Sequence, residues 1–273
     1  NHVIGDSPFA AYVVFFGEDR AVKVNIVGRD PSLDIALLSV PDRVPSSVVP
    51  IDLSKQPRVA EVGDEVYAVG YARGIWMPTV GWVNSKISQS SPIFFTHQAP
   101  IQPGNSGGPL VYFKEKCDVE VVGVNTAMGT TGLISISVPL QYVKKMLPRL
   151  RTEKVVEHAY TGLFMFDVKK VPPPLFEQIA KRQYQGESGV FVLVVAPNSP
   201  AEKAGIQAGD IITELKYAGH PVPFKDAEDL YIRIFFDFKP KNEVELVTKR
   251  GTQSFTRKVT LGGTTEPPIQ TNK

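Results

Sequence analysis

Gly104-Asn105-Ser106-Gly107-Gly108-Pro109 is the stretch on which the fold of this chain turns. A serine between glycines is most often just a turn. Here an apolar run flanks it on each side, residues 93–95 before and 109–112 after, so the hydroxyl stands at the apex of a loop between two strands. Glycine at 104 tolerates a positive φ, which lets its N–H and that of Ser106 aim at one point beside the serine oxygen. Two convergent N–H groups form an oxyanion hole for a tetrahedral intermediate. A serine hydroxyl is a weak nucleophile alone, so a base and an orienting acid are needed from elsewhere in the chain.

Working outward, further short apolar or alternating runs occupy residues 10–16, 22–27, 35–40, 65–70, 79–87, 119–124 and 134–138. Short strands punctuated by turn residues, with no helix longer than 140–150, predict an all-β barrel or sandwich pair. The opening Asn1-His2-Val3-Ile4 reads as the middle of a strand. Gln141-Tyr142-Val143-Lys144-Lys145-Met146-Leu147 suits a short amphipathic helix that closes this unit. The charge-rich stretch 149–157 reads as a linker.

A second unit follows. Strands are expected at 162–168, 189–196, 210–215, 244–248 and 254–260, and helices at 175–182, 201–204 and 227–236, with Pro172-Pro173-Pro174 as a turn. This mixed order makes an α+β module. The expected division is a first domain at 1–150, a linker at 151–158, a second domain at 159–263 and a disordered tail at 264–273.

Composition narrows the function. The chain has 273 residues, enough for about two domains. Thirty basic residues against 28 acidic ones leave a formal charge of +2, which gives no electrostatic case for nucleic acid. No run nears the roughly 18 apolar residues of a membrane span. One cysteine, Cys117, leaves no disulfide or CxxC framework. Neither metal nor nucleotide chemistry finds support, and no cofactor is expected.

Four histidines could serve as base. His158 lies in the linker and His220 in a Gly-His-Pro turn, both read as surface residues. His97 precedes the serine loop and reads as packing or capping it. His2 shares a small β unit with Asp34, which heads the apolar run Ile35-Ala36-Leu37-Leu38. A carboxylate leading a buried strand needs partners, which suits an orienting group, although a strand-initiating turn residue is the plainer alternative.

Asn1-His2-Val3-Ile4, Gly28-Arg29-Asp30-Pro31 with Asp34-Ile35-Ala36-Leu37-Leu38, and Gly104-Asn105-Ser106-Gly107-Gly108-Pro109-Leu110 together resemble the HtrA/Deg serine proteases. Val62-Gly63-Asp64 and Val122-Gly123-Val124-Asn125-Thr126 are similar to that family too. In the second unit, Tyr160-Thr161-Gly162-Leu163 resembles the carboxylate-binding loop of a PDZ domain, and Asn198-Ser199-Pro200-Ala201 through Gly209-Asp210-Ile211-Ile212 resembles its central segment. The resemblance covers nearly the whole chain and is closer to members with one PDZ domain than with two.

What it implies is a chymotrypsin-like double β-barrel, with strands expected upstream of Asn1, followed by an α+β PDZ domain. The implied activity is ATP-independent endopeptidase cleavage of unfolded or damaged proteins after small or aliphatic residues. His2, Asp34 and Ser106 would form the triad, and Gly104, Asn105 and Ser106 the oxyanion hole. Ile101, Gly132, Leu133, Ile134 and Ser135 would line the side-chain pocket. Tyr160, Thr161, Gly162, Leu163, Phe164 and Ile232 would take peptide C-termini. The implied partners are misfolded proteins, C-terminal peptides and further copies of the chain, as a trimer or its multiples. The implied location is the bacterial periplasm or cell envelope, with a mitochondrion or chloroplast as alternative. Gln98 and Gln102 depart from the family's usual Asp and Asn. The rival reading is an inactive scaffold that presents its PDZ domain as a chaperone or adaptor. A secreted digestive protease is excluded, because one cysteine cannot supply its disulfides.

Overall fold

A computed structural model describes residues 1–264 apart from 6–9, 16, 42–43, 54, 87–92, 116–117 and 130–131. Cys117, the expected tail beyond Thr264 and the ends of the runs at 16 and 87 lie outside the described residues. Two compact units emerge, Asn1–Val156 and Glu157–Thr264.

Side-chain alternation sets the strands of the first unit. β1 (Ala11–Val14), β2 (Ala21–Asp30) and β3 (Ile35–Ser39) make an antiparallel sheet in that order. In β2, Val22 and Val24 turn inward while Lys23 and Asn25 face water. Next come β4 (Glu65–Ala68), the small hairpin β5 (Tyr71–Ala72) and β6 (Ile75–Trp76), then β7 (Thr79–Ser85), β8 (Phe95–His97), β9 (Pro109–Glu115), β10 (Asp118–Met128) and β11 (Ser135–Pro139). Six of these close into a barrel in the order β10-β11-β8-β7-β4-β9. Its interior holds Val66, Ala68, Val83, Phe95, Leu110 and Val122. The unit thus holds one closed barrel preceded by an open three-stranded sheet. α1 (Leu140–Thr152) lays Leu140, Met146 and Leu150 inward.

Two expectations are corrected in this unit. Residues 2–4 form a helical turn rather than a strand, because the N–H groups of Ile4 and Gly5 bond back to the Asn1 carbonyl and Asp34 Oδ1 accepts the His2 N–H at 2.7 Å. The stretch after α1 is no free linker. Arg29 N–H donates to the Lys154 carbonyl and Val156 N–H to the Arg29 carbonyl, and Val156 is buried.

In the second unit, β12 (His158–Tyr160) is followed by β13 (Leu163–Asp167), α2 (Pro173–Ala180), β14 (Val190–Val195), α3 (Pro200–Lys203), β15 (Ile211–Tyr217), β16 (His220–Val222), α4 (Ala227–Asp237), β17 (Glu243–Arg250), β18 (Gln253–Thr260) and β19 (Gly262–Thr264). The main sheet runs β13-β14-β15-β17-β18, which leaves β13 at an edge, while β12 pairs with β19. The packing of α4 on β12 overturns the surface reading of His158. The ring is fully buried, stacked on Phe235 with centroids 3.7 Å apart, and its Nδ1 hydrogen-bonds the Phe235 carbonyl at 3.0 Å. α2 begins at Pro173, inside the stretch read as a turn, because proline's fixed φ suits the first helical position.

Candidate active site

Of the five N–H groups in the loop 104–108, three are engaged. Asn105 N–H donates to the Gln102 carbonyl at 2.9 Å, Gly107 N–H to the Asn125 carbonyl at 2.8 Å and Gly108 N–H to the Asn105 carbonyl at 2.9 Å. Among the described residues the Gly104 and Ser106 N–H groups make no hydrogen bond. Asn105 was the third expected donor to an oxyanion, and the Gln102 carbonyl removes it from that role. Gly104 has φ +106°, and a Cβ there would run into the Tyr71 carbonyl oxygen. Only glycine fits this position.

Asp34 ends the turn after Pro31 with φ +57°, a left-handed conformation that aspartate tolerates better than most side chains. The carboxylate then meets three donors. Oδ1 takes the His2 N–H, while Oδ2 is bonded by His2 Nδ1 and by the Thr126 hydroxyl. Burial pushes this carboxyl up. The Thr126 hydroxyl and the hydrogen bonds from the His2 N–H and ring more than offset that, so it lies below the usual carboxylate value. A carboxylate that only accepts places the imidazole proton on Nδ1 and leaves His2 Nε2 bare, the tautomer a general base needs.

Thr126 was missed from sequence. Its carbonyl accepts the Ser106 hydroxyl at 3.4 Å, at the weak limit of such bonds, so one residue touches both Asp34 and Ser106. No hydrogen bond joins His2 to Ser106 among the described residues. A β-bulge explains the position of Thr126. Asn125 pairs with Ser137 and Ala127 with Ile136, which leaves Thr126 as the extra residue of β10. The available signal was two adjacent polar residues, Asn125 and Thr126, directly after the apolar run 121–124. The neighbouring Asn125 grips the loop, since its backbone bonds Gly107 and Gly108 and its Nδ2 donates to the Pro109 carbonyl at 3.2 Å.

The expected pocket residues are scattered in role. Ile101 belongs to the barrel core, Ser135 is buried with its hydroxyl on the Ala99 carbonyl, Gly132 and Ile134 flank the connection into β11, and Leu133 is 76% exposed. In the second unit, Thr161, Gly162 and Leu163 lead into the edge strand β13, along which α4 packs with half-buried Ile232. Gly162 has φ +81°, and a Cβ there would overlap the Ser199 side chain. Tyr160 is partly exposed at the start of this loop. Phe164 points to the other face of β13, 54% exposed and edge-on to Phe166.

His97 is fully buried in the barrel, and burial lowers its imidazole to about 4, partly countered by the Ala99 carbonyl. Between that value and the ordinary 6.5 the unfolded chain binds the extra proton, so this group's contribution is complete above about pH 6.5 and is lost as pH falls toward 4. The loss is on the order of 3 kcal/mol. Urea midpoints should fall accordingly between pH 7 and pH 4.5, and His97→Gln should flatten that slope.

The trypsin-like peptidase domain family matches residues 1–124, and the PDZ domain family matches residues 191–230. Serine protease Do-like HtrA of Bacillus subtilis is 29% identical over 96% of this chain and 59% of its own length. A probable periplasmic serine endoprotease, DegP-like, of Rhizobium meliloti is 30% identical over 96% of this chain and 50% of its own. The chain therefore spans little more than half the length of these curated relatives. Among solved structures, the HtrA-type protease AlgW with decapeptide superposes with TM-score 0.71 at 21% identity, over 96% of this chain and 78% of that one. The serine endoprotease from Yersinia pestis gives 0.62 at 24% identity, over 96% and 83%. At these identities the structural likenesses establish the fold.

Proposed function

We infer, for a chain that belongs to the HtrA/Deg family of trypsin-like serine proteases with a PDZ domain, that it is a serine endopeptidase acting through Ser106, His2 and Asp34. The observation that carries this reading is the contact of Thr126 with both Asp34 and Ser106, while the same carboxylate holds His2. Turning about its Cα–Cβ bond, the loosely held Ser106 hydroxyl gives its proton to His2 Nε2 and attacks the peptide carbonyl. Asp34 stabilises the imidazolium that forms, and His2 then protonates the leaving amine. The Gly104 and Ser106 N–H groups receive the oxyanion. Water repeats the cycle on the acyl-enzyme.

The pocket before the cut bond draws on Ile101 and the segment 132–135. None of these residues is charged, which suits small or aliphatic side chains. At the PDZ unit, an extended peptide adds to the open edge of β13, with its carboxylate near Thr161, Gly162 and Leu163. Unfolded proteins are the substrate class, the periplasmic names of several relatives support the bacterial periplasm or envelope, and assembly as a trimer or its multiples follows from the family resemblance alone. No helix among the described residues is long and apolar enough to cross a membrane.

A fluorophosphonate probe tests the assignment directly. Stoichiometric labelling at Ser106 is expected, and an unlabelled protein that still binds C-terminal peptides would instead favour the scaffold reading. A second check addresses the loop: Gly104→Ala should lower kcat on casein by about 10²–10³-fold with little change in KM, since it displaces one oxyanion donor.

A further inference from the structure

β8 carries a histidine that the reaction above does not use, and hydrogen-bond logic connects it to the loop that does. The Pro109 carbonyl can only accept, so the Asn125 group facing it is the amide nitrogen, at 3.2 Å. Asn125 Oδ1 then faces Ser137 Oγ at 3.1 Å and accepts its proton. With its proton committed, Ser137 Oγ can only accept from His97 Nε2, 3.0 Å away. The direction of each bond from β8 through β11 to β10 is therefore fixed and puts a proton on Nε2, while burial, which lowers the ring to about 4, keeps it neutral at pH 7. All three side chains are buried. What lies at the far end is Asn125, whose backbone holds Gly107 and Gly108 immediately after Ser106.

We propose that His97 is a positioning residue for the Ser106 loop, acting through Ser137 and Asn125 as a neutral hydrogen-bond donor. The inference rests on Ser106 being the nucleophile. Neighbours of the ring are Val83 from β7, Phe95 within β8, Ser135 and Ser137 from β11, and the Ala99 carbonyl, none of them charged or titrating in the accessible range. Protonation of the ring would place an unpaired charge in the barrel, and its second nitrogen, Nδ1, has no partner of good geometry to receive it.

His97→Leu, Ser137→Ala, the double variant and His97→Gln, each in the full chain, test the proposal. Either single change should lower kcat on casein about tenfold, the loss expected of one buried hydrogen bond, with KM within about twofold. The double variant should be no worse than the single ones, because both remove the same link. His97→Gln, whose amide can replace the Nε2–H, should restore most of kcat. Wild-type rates in both single variants, with the wild-type protein active, would overturn the proposal. Should the wild-type protein neither cleave casein nor label at Ser106, it is the protease reading that fails. Amide exchange at Gly107 and Gly108 then decides, with about tenfold lower protection in Ser137→Ala supporting the link and unchanged protection refuting it.

Discussion

Ser106→Ala should reduce casein hydrolysis by about 10⁶-fold while the protein stays folded. The hydroxyl makes a single weak hydrogen bond, to the Thr126 carbonyl, so its loss leaves the loop's backbone bonds through Asn125 untouched. Unchanged urea midpoint and retained binding of C-terminal peptides accompany the loss of cleavage. Residual activity within a hundredfold of wild type would mean that another group attacks the peptide bond.

Asp34→Asn should lower kcat by about 10⁴-fold. All three hydrogen bonds to the carboxylate come from donors: the His2 N–H, His2 Nδ1 and the Thr126 hydroxyl. An amide offers one accepting oxygen in place of two, and its NH₂ must face one of those donors. If it faces the ring, His2 is driven to the tautomer with the proton on Nε2, where it can no longer accept from Ser106. Nitrogen chemical shifts of the His2 imidazole report that tautomer independently of turnover. A variant within tenfold of wild type would remove Asp34 from the mechanism.

Strands were legible wherever apolar and polar residues alternate, as in β2 and β17, because one side of each faces a core. The candidate nucleophile, base and acid were legible because each sits in a distinctive local pattern, the serine loop above all. Features that depend on pairing across the chain were not. The strand reading of residues 2–4 ignored the Asp34 carboxylate, more than thirty positions away, that caps them as a turn. His158 looked exposed amid charged neighbours, and only the packing of α4, through Phe235 and Phe236, encloses its ring. Asn105 looked like an oxyanion donor until the Gln102 carbonyl was seen to occupy its N–H. Thr126 was marked only by the polar pair it makes with Asn125, since the register shift that places it leaves no mark in composition.

That extra residue in β10 has a consequence for any effort to make the protein hardier. Removing Thr126 would let the strands on either side run in step, and a screen for heat resistance alone would not register what such a deletion does to the site. On the proposed mechanism, the survivor would have lost the residue that touches both acid and alcohol. Regularity of the cylinder and competence of its chemistry are opposed at one position, so selections on this scaffold need turnover scored beside melting.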